Sequence, residues 1–412
     1  MFAQTINSLS NLMVSIVVAR LLGPSALGRF ALLFTILLTL VALQTAWVGD
    51  SLTVLDRKQP SIRQGIATSQ WMHVLVGMLV GGLAARYIGG VSSVGAIIFA
   101  FLVAAWELEE YGRRMFMARL EFWRQAANDS SYLVITAVCL VGWATLATMS
   151  LSAILCCMTV GALGAFLLGV AWLPSEERLT GPSRTGFMEV SRYGFWRGAQ
   201  SGSGYLSQVV VRSLVIGLSS AATMGQIEAA RLVVSPLTTL VAALSNVTLA
   251  SFARSAKAKR PVSSLIGVVI IGCGAVCLIY GAFVLAFPGF LTHLLAGPRF
   301  NPDMTALIGW LLVALVLALS TPFSTLAVVL VRSSTVFRIR LVGSVFEISL
   351  TVAVLLVSLP SLMPTCLSIG AAISGIMLWR VARAASIANT SRGYDTSGVA
   401  TFGREDASVA ET

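Results

Sequence analysis

Long apolar runs alternate with short polar segments along almost the whole chain. Many of these runs contain no charged residue and are long enough to cross about 30 Å of hydrocarbon. The uncharged stretch 130–175 is too long for one helix, and its polar part at 145–152 marks a turn between two spans. The pattern predicts twelve spans, at 2–19, 30–49, 65–85, 88–106, two within 130–175, 198–220, 223–251, 262–286, 304–331, 341–359 and 362–382.

The continuity of these runs indicates helices. Strands of a membrane barrel would appear as alternating segments of about ten residues, and an open sheet cannot satisfy its edge hydrogen bonds in lipid. Composition agrees, because 57% hydrophobic residues against 11% charged ones excludes an ordinary water-soluble protein. We therefore expect an all-α integral membrane protein, and we interpret 2–19 as a retained first span, with an upstream start of the chain as an alternative.

The basic residues indicate the orientation. The net charge is +11, which in a soluble protein would favour nucleic acid, but here the basic residues cluster in short connections between spans. With alternating connections, 22 of the 28 lie on one side, four on the other and two within spans. Cytoplasmic loops are enriched in Lys and Arg. The sequence therefore predicts a multi-pass protein in contact with the lipid bilayer, with both termini cytoplasmic and no nucleic-acid partner.

Cofactor chemistry has little support in the sequence. The six cysteines lie inside apolar runs, where packing is their expected role. His73 and His293 have no third nitrogen or thiolate at metal-binding spacing. A glycine-rich phosphate loop with its Lys and Ser or Thr is also missing from the sequence. We expect neither a metal, nor ATP hydrolysis, nor another cofactor.

The longest internal connection divides the spans six and six. The predicted units are an N-terminal lobe at 1–173, a linker at 174–197 and a C-terminal lobe at 198–385, followed by a polar, disordered cytoplasmic tail at 386–412. The second half of the linker mixes aromatic and basic residues. It is expected to be either a short helix lying at the cytoplasmic interface or a linker with aromatic anchors.

A weak repeat relates the two halves. Near the first hairpin the chain reads ARLLGPSALGRFALL, and the corresponding part of the second half reads RSLVIGLSSAATMGQIEAARL. Each runs from an Arg through a small-residue turn to a glycine, Gly28 or Gly225, in the next helix. A parallel repeat of six spans is typical of transporters that rock two bundles about a central cavity.

The segment ARLLGPSALGRFAL resembles the signature of Wzx-type polysaccharide-biosynthesis flippases, in the multidrug/oligosaccharidyl-lipid/polysaccharide exporter superfamily. Arg20, Gly23, Pro24 and Gly28 carry most of the resemblance, which extends over the whole chain through the twelve spans and MGQIEAARL. Leu27 and Ile227 depart from it, since aromatic residues are common at those places.

This resemblance implies transport of an undecaprenyl-diphosphate-linked oligosaccharide from the cytoplasmic to the outer leaflet by alternating access. It also implies a location in the bacterial cytoplasmic (inner) membrane, with polysaccharide polymerase or export proteins as further partners.

Arg212 is the sharpest candidate for a substrate-binding cation. An ionised Arg inside a span costs roughly 2.5–3.5 kcal/mol on insertion scales, so it should face a wet cavity or a partner. We expect it to face the cavity and offer charge to the diphosphate, with a pair to Glu228 or simple snorkelling as the alternatives. Arg231 is the second candidate, although it shares a helix face with Glu228 and can pair with it.

Arg20 and Arg29 flank the first hairpin and are candidates for the outer mouth of the cavity; simple snorkelling at helix ends explains them almost as well. Glu228 and Glu347 are candidates for ion coupling. The ordinary alternative for each is a local salt bridge, with Arg231 for Glu228 and with Arg338 or Arg340 for Glu347.

Other acidic residues are expected to form cytoplasmic-surface ion pairs with no direct role. Asp50 and Asp56 precede Arg57 and Lys58, and three glutamates precede Arg113 and Arg114. The three glutamates are Glu107, Glu109 and Glu110.

Three functions compete with the flippase. A multidrug or cation extruder of the same superfamily would use buried carboxylates, whereas the embedded charge here is mainly Arg. A membrane enzyme would present acid or base groups on a sizeable outer loop, and none is evident in the sequence. A transport-inactive scaffold of a polysaccharide assembly complex also fits the sequence.

Overall fold

The computed structural model describes residues 2–179, 181, 183–257, 263–330 and 333–391. Within these ranges the regular elements are helices, and no strand is formed. Twelve of the helices have 21 residues or more, in the order that the apolar runs predict. The expected all-α fold is confirmed.

The long helices follow one another through short turns. α2 starts as Pro24–Gln44 and continues through the π-helical turn Thr45–Gly49 into Asp50–Val54. A short helix, Pro288–Leu295, lies between α9 and α10. The other long helices are α1 Phe2–Leu22, α3 Pro60–Tyr87, α4 Ser93–Ala118, α5 Phe122–Leu146, α6 Leu151–Trp172, α7 Phe187–Leu218, α8 Ala221–Lys257, α9 Ser263–Ala286, α10 Met304–Leu330, α11 Ser333–Leu356 and α12 Met363–Ser391.

Eight helical segments in the described part of the chain are long and apolar enough to cross a membrane. They comprise α2, α3, α5, α6 and stretches of α9 to α12. The remaining long helices are α1, α4, α7 and α8, and the last three carry embedded charged residues. The chain is a multi-pass membrane protein.

Several helices extend beyond the predicted spans. α4 ends at Ala118 rather than at residue 106, because Glu109, Glu110 and Arg113 pair along the helix and continue its buried face. α7 already begins at Phe187. The second half of the predicted linker, expected as an interfacial helix or as a linker with aromatic anchors, is therefore from Phe187 onward the first part of the continuous helix α7.

The last helix also runs further than predicted. Residues 386–391 belong to α12, so the tail does not begin at residue 386. The remainder of the predicted disordered tail, 392–412, lies outside the described residues.

Buried apolar residues form two large clusters. One is built mainly from α1 to α6 and takes in Val209, Ala229 and Leu232 from the second half. The other is built from α7 to α12. Two packed cores joined by α7 and α8 are consistent with two lobes, whose boundaries stay a prediction.

The turns gather at two ends of the helices. At one end, Arg299 donates to the carbonyl of Leu21 at 3.4 Å, which joins the α9–α10 connection to the α1–α2 turn. At the other, Arg57 donates to the carbonyl of Ala118 at 3.1 Å. We call these the outer end and the inner end, after the orientation that the basic residues predict.

Candidate functional site

The embedded charges of α7 and α8 lie side by side. Arg212 is six residues before the end of α7, and Glu228 is seven residues after the start of α8. At 1.5 Å per residue, both are about 10 Å from the α7–α8 turn. Arg212 Nε and Nη2 each lie 2.9 Å from Glu228 Oε1, and both residues are buried.

Two more side chains complete this Arg–Glu–Arg cluster, which consists of Gln208, Arg212, Glu228 and Arg231. Arg231 Nε donates to Glu228 Oε2. Arg212 Nη1 donates to Gln208 Oε1 at 3.0 Å. Glu228 therefore accepts hydrogen bonds from two guanidinium groups, and Gln208 takes up part of the remaining donor capacity of Arg212.

The cluster has a net charge of about +1, because two guanidinium groups share one carboxylate. The Arg212 side chain is 4% exposed and the Arg231 side chain 32% exposed. Arg212 thus pairs with Glu228, which is one of the predicted alternatives to a position facing an open cavity. Arg231 presents the accessible part of the charge, and guanidinium groups bind phosphate oxygens in bidentate fashion.

The other two predicted arginines lie elsewhere. Arg20 is exposed at the end of α1, where its guanidinium donates to the carbonyl of Leu294. Arg29 is exposed in the second turn of α2. The structure therefore brings Arg212, Arg231 and Glu228 together, while Arg20 joins α1 to the segment before α10. The proposed roles of all four arginines in substrate binding stay predictions.

The outer ends of α2 and α8 meet backbone to backbone. A Cβ at Gly28 would lie 2.0 Å from the carbonyl oxygen of Ala221, and a Cβ at Gly225 would lie 1.9 Å from that of Pro24. Any larger side chain would be in hard contact there. The two glycines of the sequence repeat thus form one crossing between the halves, which we call the outer crossing.

Glu347 is bonded differently from the expected salt bridge. Its Oε2 accepts from Ser207 Oγ at 2.9 Å, which links α11 to α7. Arg340 instead contacts Ser324 Oγ at 3.3 Å, and Arg338 is exposed. The predicted pair with Arg338 or Arg340 is therefore wrong, because α11 turns Glu347 towards α7.

The acidic residues of α4 are buried rather than on the surface. Arg113 lies 2.7 Å from Asp129 and 3.8 Å from Glu109, and it also pairs with Glu110. Asn128 donates to Glu109 at 2.9 Å. The expected surface ion pairs are thus an internal network between α4 and α5. The spacing of Glu109, Glu110 and Arg113 signals pairing, but nothing in the sequence indicates that Asp129 joins them.

Asp50 forms a partly exposed ion pair at the inner end, but with a partner other than the neighbouring basic residues. Its carboxylate accepts from Arg197 at 2.7 and 3.0 Å, which connects the inner end of α2 to α7. The predicted neighbours, Arg57 and Lys58, are not these donors. Arg57 instead faces Glu177, with Nε 3.9 Å from its carboxylate.

The side chains in the described part of the chain form no cluster suited to binding a metal ion. No group of three or more His, Cys, Asp or Glu side chains there has a geometry that could hold a metal ion. The six cysteines are free, and they are buried or partly buried within helices. Their arrangement agrees with a packing role.

Solved structures share this fold. A MOP superfamily transporter from Pyrococcus furiosus, described as having a binding pocket of reverse polarity, is 15% identical with a TM-score of 0.63 and covers 94% of each chain. An outward-facing MATE family multidrug resistance transporter is 15% identical with a TM-score of 0.65, covering 94% of this chain and 93% of the other. The lipid II flippase MurJ, in an inward closed conformation, is 11% identical with a TM-score of 0.69, covering 92% and 86%.

No protein-family model and no curated protein matches the sequence. At these identities the structural likeness establishes the fold. The chain has the architecture of MOP superfamily transporters, which confirms the fold expected from the resemblance.

Proposed function

We propose that this chain carries an undecaprenyl-diphosphate-linked oligosaccharide from the cytoplasmic to the outer leaflet by alternating access. Its fold is that of transporters that include a lipid II flippase. The observation that carries the choice of an anionic substrate is the Arg–Glu–Arg cluster. A positive charge inside a membrane is energetically costly unless an anion compensates it. Here the single carboxylate of Glu228 neutralises only one of two guanidinium groups, so one positive charge is left for an anionic substrate.

Arg231 is the group we expect to meet the diphosphate. It keeps Glu228 as one partner, and about a third of its side chain is accessible. A diphosphate offers several charged oxygens, each of which can accept from a guanidinium N–H. Arg212, held by Glu228 and Gln208, would act through the field of the cluster and the position of Glu228 rather than by direct contact.

Alternating access requires contacts between the halves that can be exchanged. The outer crossing of Gly28 and Gly225 brings α2 and α8 together at one end. The bond between Asp50 and Arg197 joins α2 to α7 at the other. A substrate shifts the balance between such states only by binding one of them more tightly.

The deciding experiment follows a fluorescent undecaprenyl-diphosphate oligosaccharide across proteoliposome membranes, read out by access to an impermeant quencher. Arg231→Gln should slow protein-dependent movement about 10- to 100-fold, since a hydrogen bond to a charged group contributes about 1.5–3 kcal/mol. Arg231→Lys should retain part of the activity because it keeps the charge. Arg124→Gln is the matched control, since Arg124 is 49% exposed and distant in sequence from the cluster.

Equal rates in Arg231→Gln and wild type would remove this arginine from the pathway. Protein-free vesicles and a set of different lipid-linked sugars complete the comparison. No protein-dependent movement of any of them, with or without ion gradients, would contradict the flippase and favour a transport-inactive scaffold of a polysaccharide assembly complex.

A multidrug or cation extruder is the second candidate, and the buried carboxylates of α4 and α5 favour it. Glu109, Glu110 and Asp129 surround Arg113 inside the first half, where a cation extruder would place acidic groups. An assay of fluorescent organic cation export from the same vesicles separates the two functions. Export that survives Arg231→Gln but fails in Asp129→Asn would support the extruder.

A further inference from the structure

Glu107 is a buried carboxyl group in the middle of α4 that none of the functions above uses. The residue is 1% exposed. Neither of its carboxylate oxygens has a hydrogen-bond partner among the described residues. An ionised carboxylate without a partner is very unfavourable in such surroundings, so the group is either neutral or neutralised by a bound cation.

Two amides surround the backbone of the same residue. Gln70 Nε2 of α3 donates to the Glu107 carbonyl at 3.0 Å, and Gln44 Nε2 of α2 lies 3.4 Å from it. Gln44 also donates to Gln70 Oε1 at 2.8 Å. Gln44 Oε1 is a further buried acceptor without a donor among the described side chains. Acceptors therefore exceed donors where α2, α3 and α4 meet.

The surroundings of the carboxyl group fit a proton better than a metal cation. A Cβ at Gly77 would lie 2.8 and 3.1 Å from the two carboxylate oxygens and 3.1 Å from Val103 Cγ1. The carboxylate therefore lies against the backbone of Gly77, in space that any side chain at that position would fill. Sodium, as a hard cation, needs a shell of several oxygen ligands, whereas a proton needs only the carboxylate itself.

The π-helical turn of α2 adjoins this site. Thr45–Gly49 follows Gln44 directly, and Thr45 Oγ1 donates to Glu110 Oε1 of α4 at 3.2 Å. Single π-helical turns inside α-helices occur frequently at functional sites. A change in the hydrogen bonds of Gln44 and Thr45 would alter the turn, and with it the direction of the last turn of α2.

The π-helical turn, which contains Trp47, and the last turn, which begins at Asp50, both contact the second half of the chain at the inner end. Trp47 packs against α7, where a Cβ at Gly194 would lie 2.6 Å from its indole ring. Asp50 accepts from Arg197 at 2.7 Å. The π-helical turn thus lies between the Glu107 site on one side and the contact of α2 with α7 on the other.

From these contacts we infer that Glu107 is a proton-binding site that controls the inner-end contact between α2 and α7. With the proton bound, the neutral acid stays in its apolar surroundings and the contact persists. When the proton leaves, the carboxylate needs water or donors, and the contact of α2 with α7 is released. The use of this step to drive transport rests on the proposed function, but the proton site itself does not.

Other titratable groups on the neighbouring helices must be distinguished from Glu107. His73 of α3 packs edge-on against Trp47 at 5.4 Å between ring centroids. Glu110 is bonded to Arg113 and Arg114, and Asp129 of α5 to Arg113. Asp50 of α2 is bonded to Arg197, and α6 contributes only the thiols Cys156 and Cys157.

The experiment uses the full chain in lipid nanodiscs and two readouts that need no transported substrate. A pH-difference infrared spectrum detects the C=O stretch of a protonated carboxylic acid. Spin labels at Thr53→Cys and Met188→Cys, both exposed positions, report the distance from α2 to α7 by pulsed dipolar spectroscopy, with the native cysteines replaced. In the wild type we expect the distance to lengthen as pH rises and the acid band to disappear in parallel.

Glu107→Gln should lack that band and keep the short distance at every pH. His73→Gln should respond as the wild type does. Glu121→Gln is the matched acidic control outside the spans: Arg119 and Arg124 donate to Glu121 and hold its pKa below the usual range, so it titrates separately. Should Glu107→Gln not be recovered, Glu107→Asp should move the midpoint of the response.

A pH response that persists in Glu107→Gln, an unmoved midpoint in Glu107→Asp, or loss of the response in His73→Gln would overturn the assignment. So would a distance change on replacing choline chloride by sodium chloride at fixed pH, because it would identify a sodium site. Because these readouts need no oligosaccharide, their failure and a failure of the vesicle assay are separate results.

Discussion

Glu228 holds two arginines with one carboxylate, and this sharing decides how each of them can act. Arg212 and Arg231 bind different oxygens of the same side chain, so the carboxylate is fully engaged. Removing one member of a buried cluster of charges leaves a remaining charge without a counter-charge. This destabilises the folded protein more than removing two opposite charges together. The stability of the cluster should therefore depend on its charge balance.

Glu228→Gln should destabilise the protein by about 3–5 kcal/mol, because Arg212 would stay buried without a counter-charge. The double variant Glu228→Gln with Arg212→Gln should recover part of that loss. Thermal unfolding of the purified protein in detergent measures both. Glu121→Gln, at an exposed ion pair with Arg124, should change stability by no more than about 1 kcal/mol. Equal destabilisation of the single and double variants would show that the charges are not coupled.

The sequence predicts which residues are unusual better than it predicts their partners. Arg212 is conspicuous because uncharged residues surround it on both sides, and the i, i+3 spacing of Glu228 and Arg231 predicts their pair. The contact from Ser207 to Glu347 joins residues 140 positions apart and depends on the packing of α7 against α11. Such a contact follows from tertiary structure, which local spacing does not encode.

Helix α8 contains a proline whose missing N–H is compensated locally. Pro236 cannot donate to the carbonyl of Leu232, four residues earlier. Ser235 Oγ donates to that carbonyl at 2.8 Å instead. On the neighbouring turn, Tyr280 of α9 donates its hydroxyl to the carbonyl of Val233 at 2.8 Å. The helix continues through the proline because side chains bond the carbonyls around it.

Ser235→Ala should therefore lower the free energy of unfolding by about 1 kcal/mol in the wild type. The loss should be much smaller in a Pro236→Ala background, because the new backbone N–H of residue 236 can donate to the Leu232 carbonyl. A double-mutant cycle of thermal unfolding measures this coupling. Ser213→Ala is the matched control, because Ser213 Oγ donates to a carbonyl within α7 that is distant in sequence from any proline. Val233→Ala is unsuitable because it also removes buried volume. Additive effects of Ser235→Ala and Pro236→Ala would contradict the exchange of donors.

The lengths of α4 and α7 show what apolar runs do and do not predict. A charged residue ends an apolar run, so the predicted fourth span stops before Glu107. In the structure the helix continues, because Glu109, Glu110 and Arg113 pair with one another and with α5 inside the protein. Glu107 is buried there without a hydrogen-bond partner among the described residues. The aromatic and basic residues at the start of α7 predict an interfacial segment for a similar reason, but the helix is continuous from Phe187 and contacts α2, where Gly194 lies against Trp47.

At the scale of the whole molecule, the two halves touch at both ends of the helices. The sequence repeat anticipates the outer crossing in part, since it aligns Gly28 with Gly225, but it does not predict that these two glycines face each other. The near contact of each with the other helix leaves no room for a side chain. Closure at the outer end therefore requires glycine at both positions.

Gly28→Val should shift the protein towards a state in which the outer crossing is open, because its side chain would clash with the Ala221 carbonyl only while α2 and α8 touch. Met224, fully buried beside the crossing, is a suitable position to detect this. In a background without the native cysteines, Met224→Cys should react at least about tenfold faster with an impermeant maleimide, which corresponds to about 1.4 kcal/mol. Gly217→Val controls for loss of helix stability, because Gly217 is a helical glycine at which an added Cβ would have no atom within 4 Å. An unchanged labelling rate in Gly28→Val, with wild-type protein yield, would show that the crossing does not hold the outer end closed.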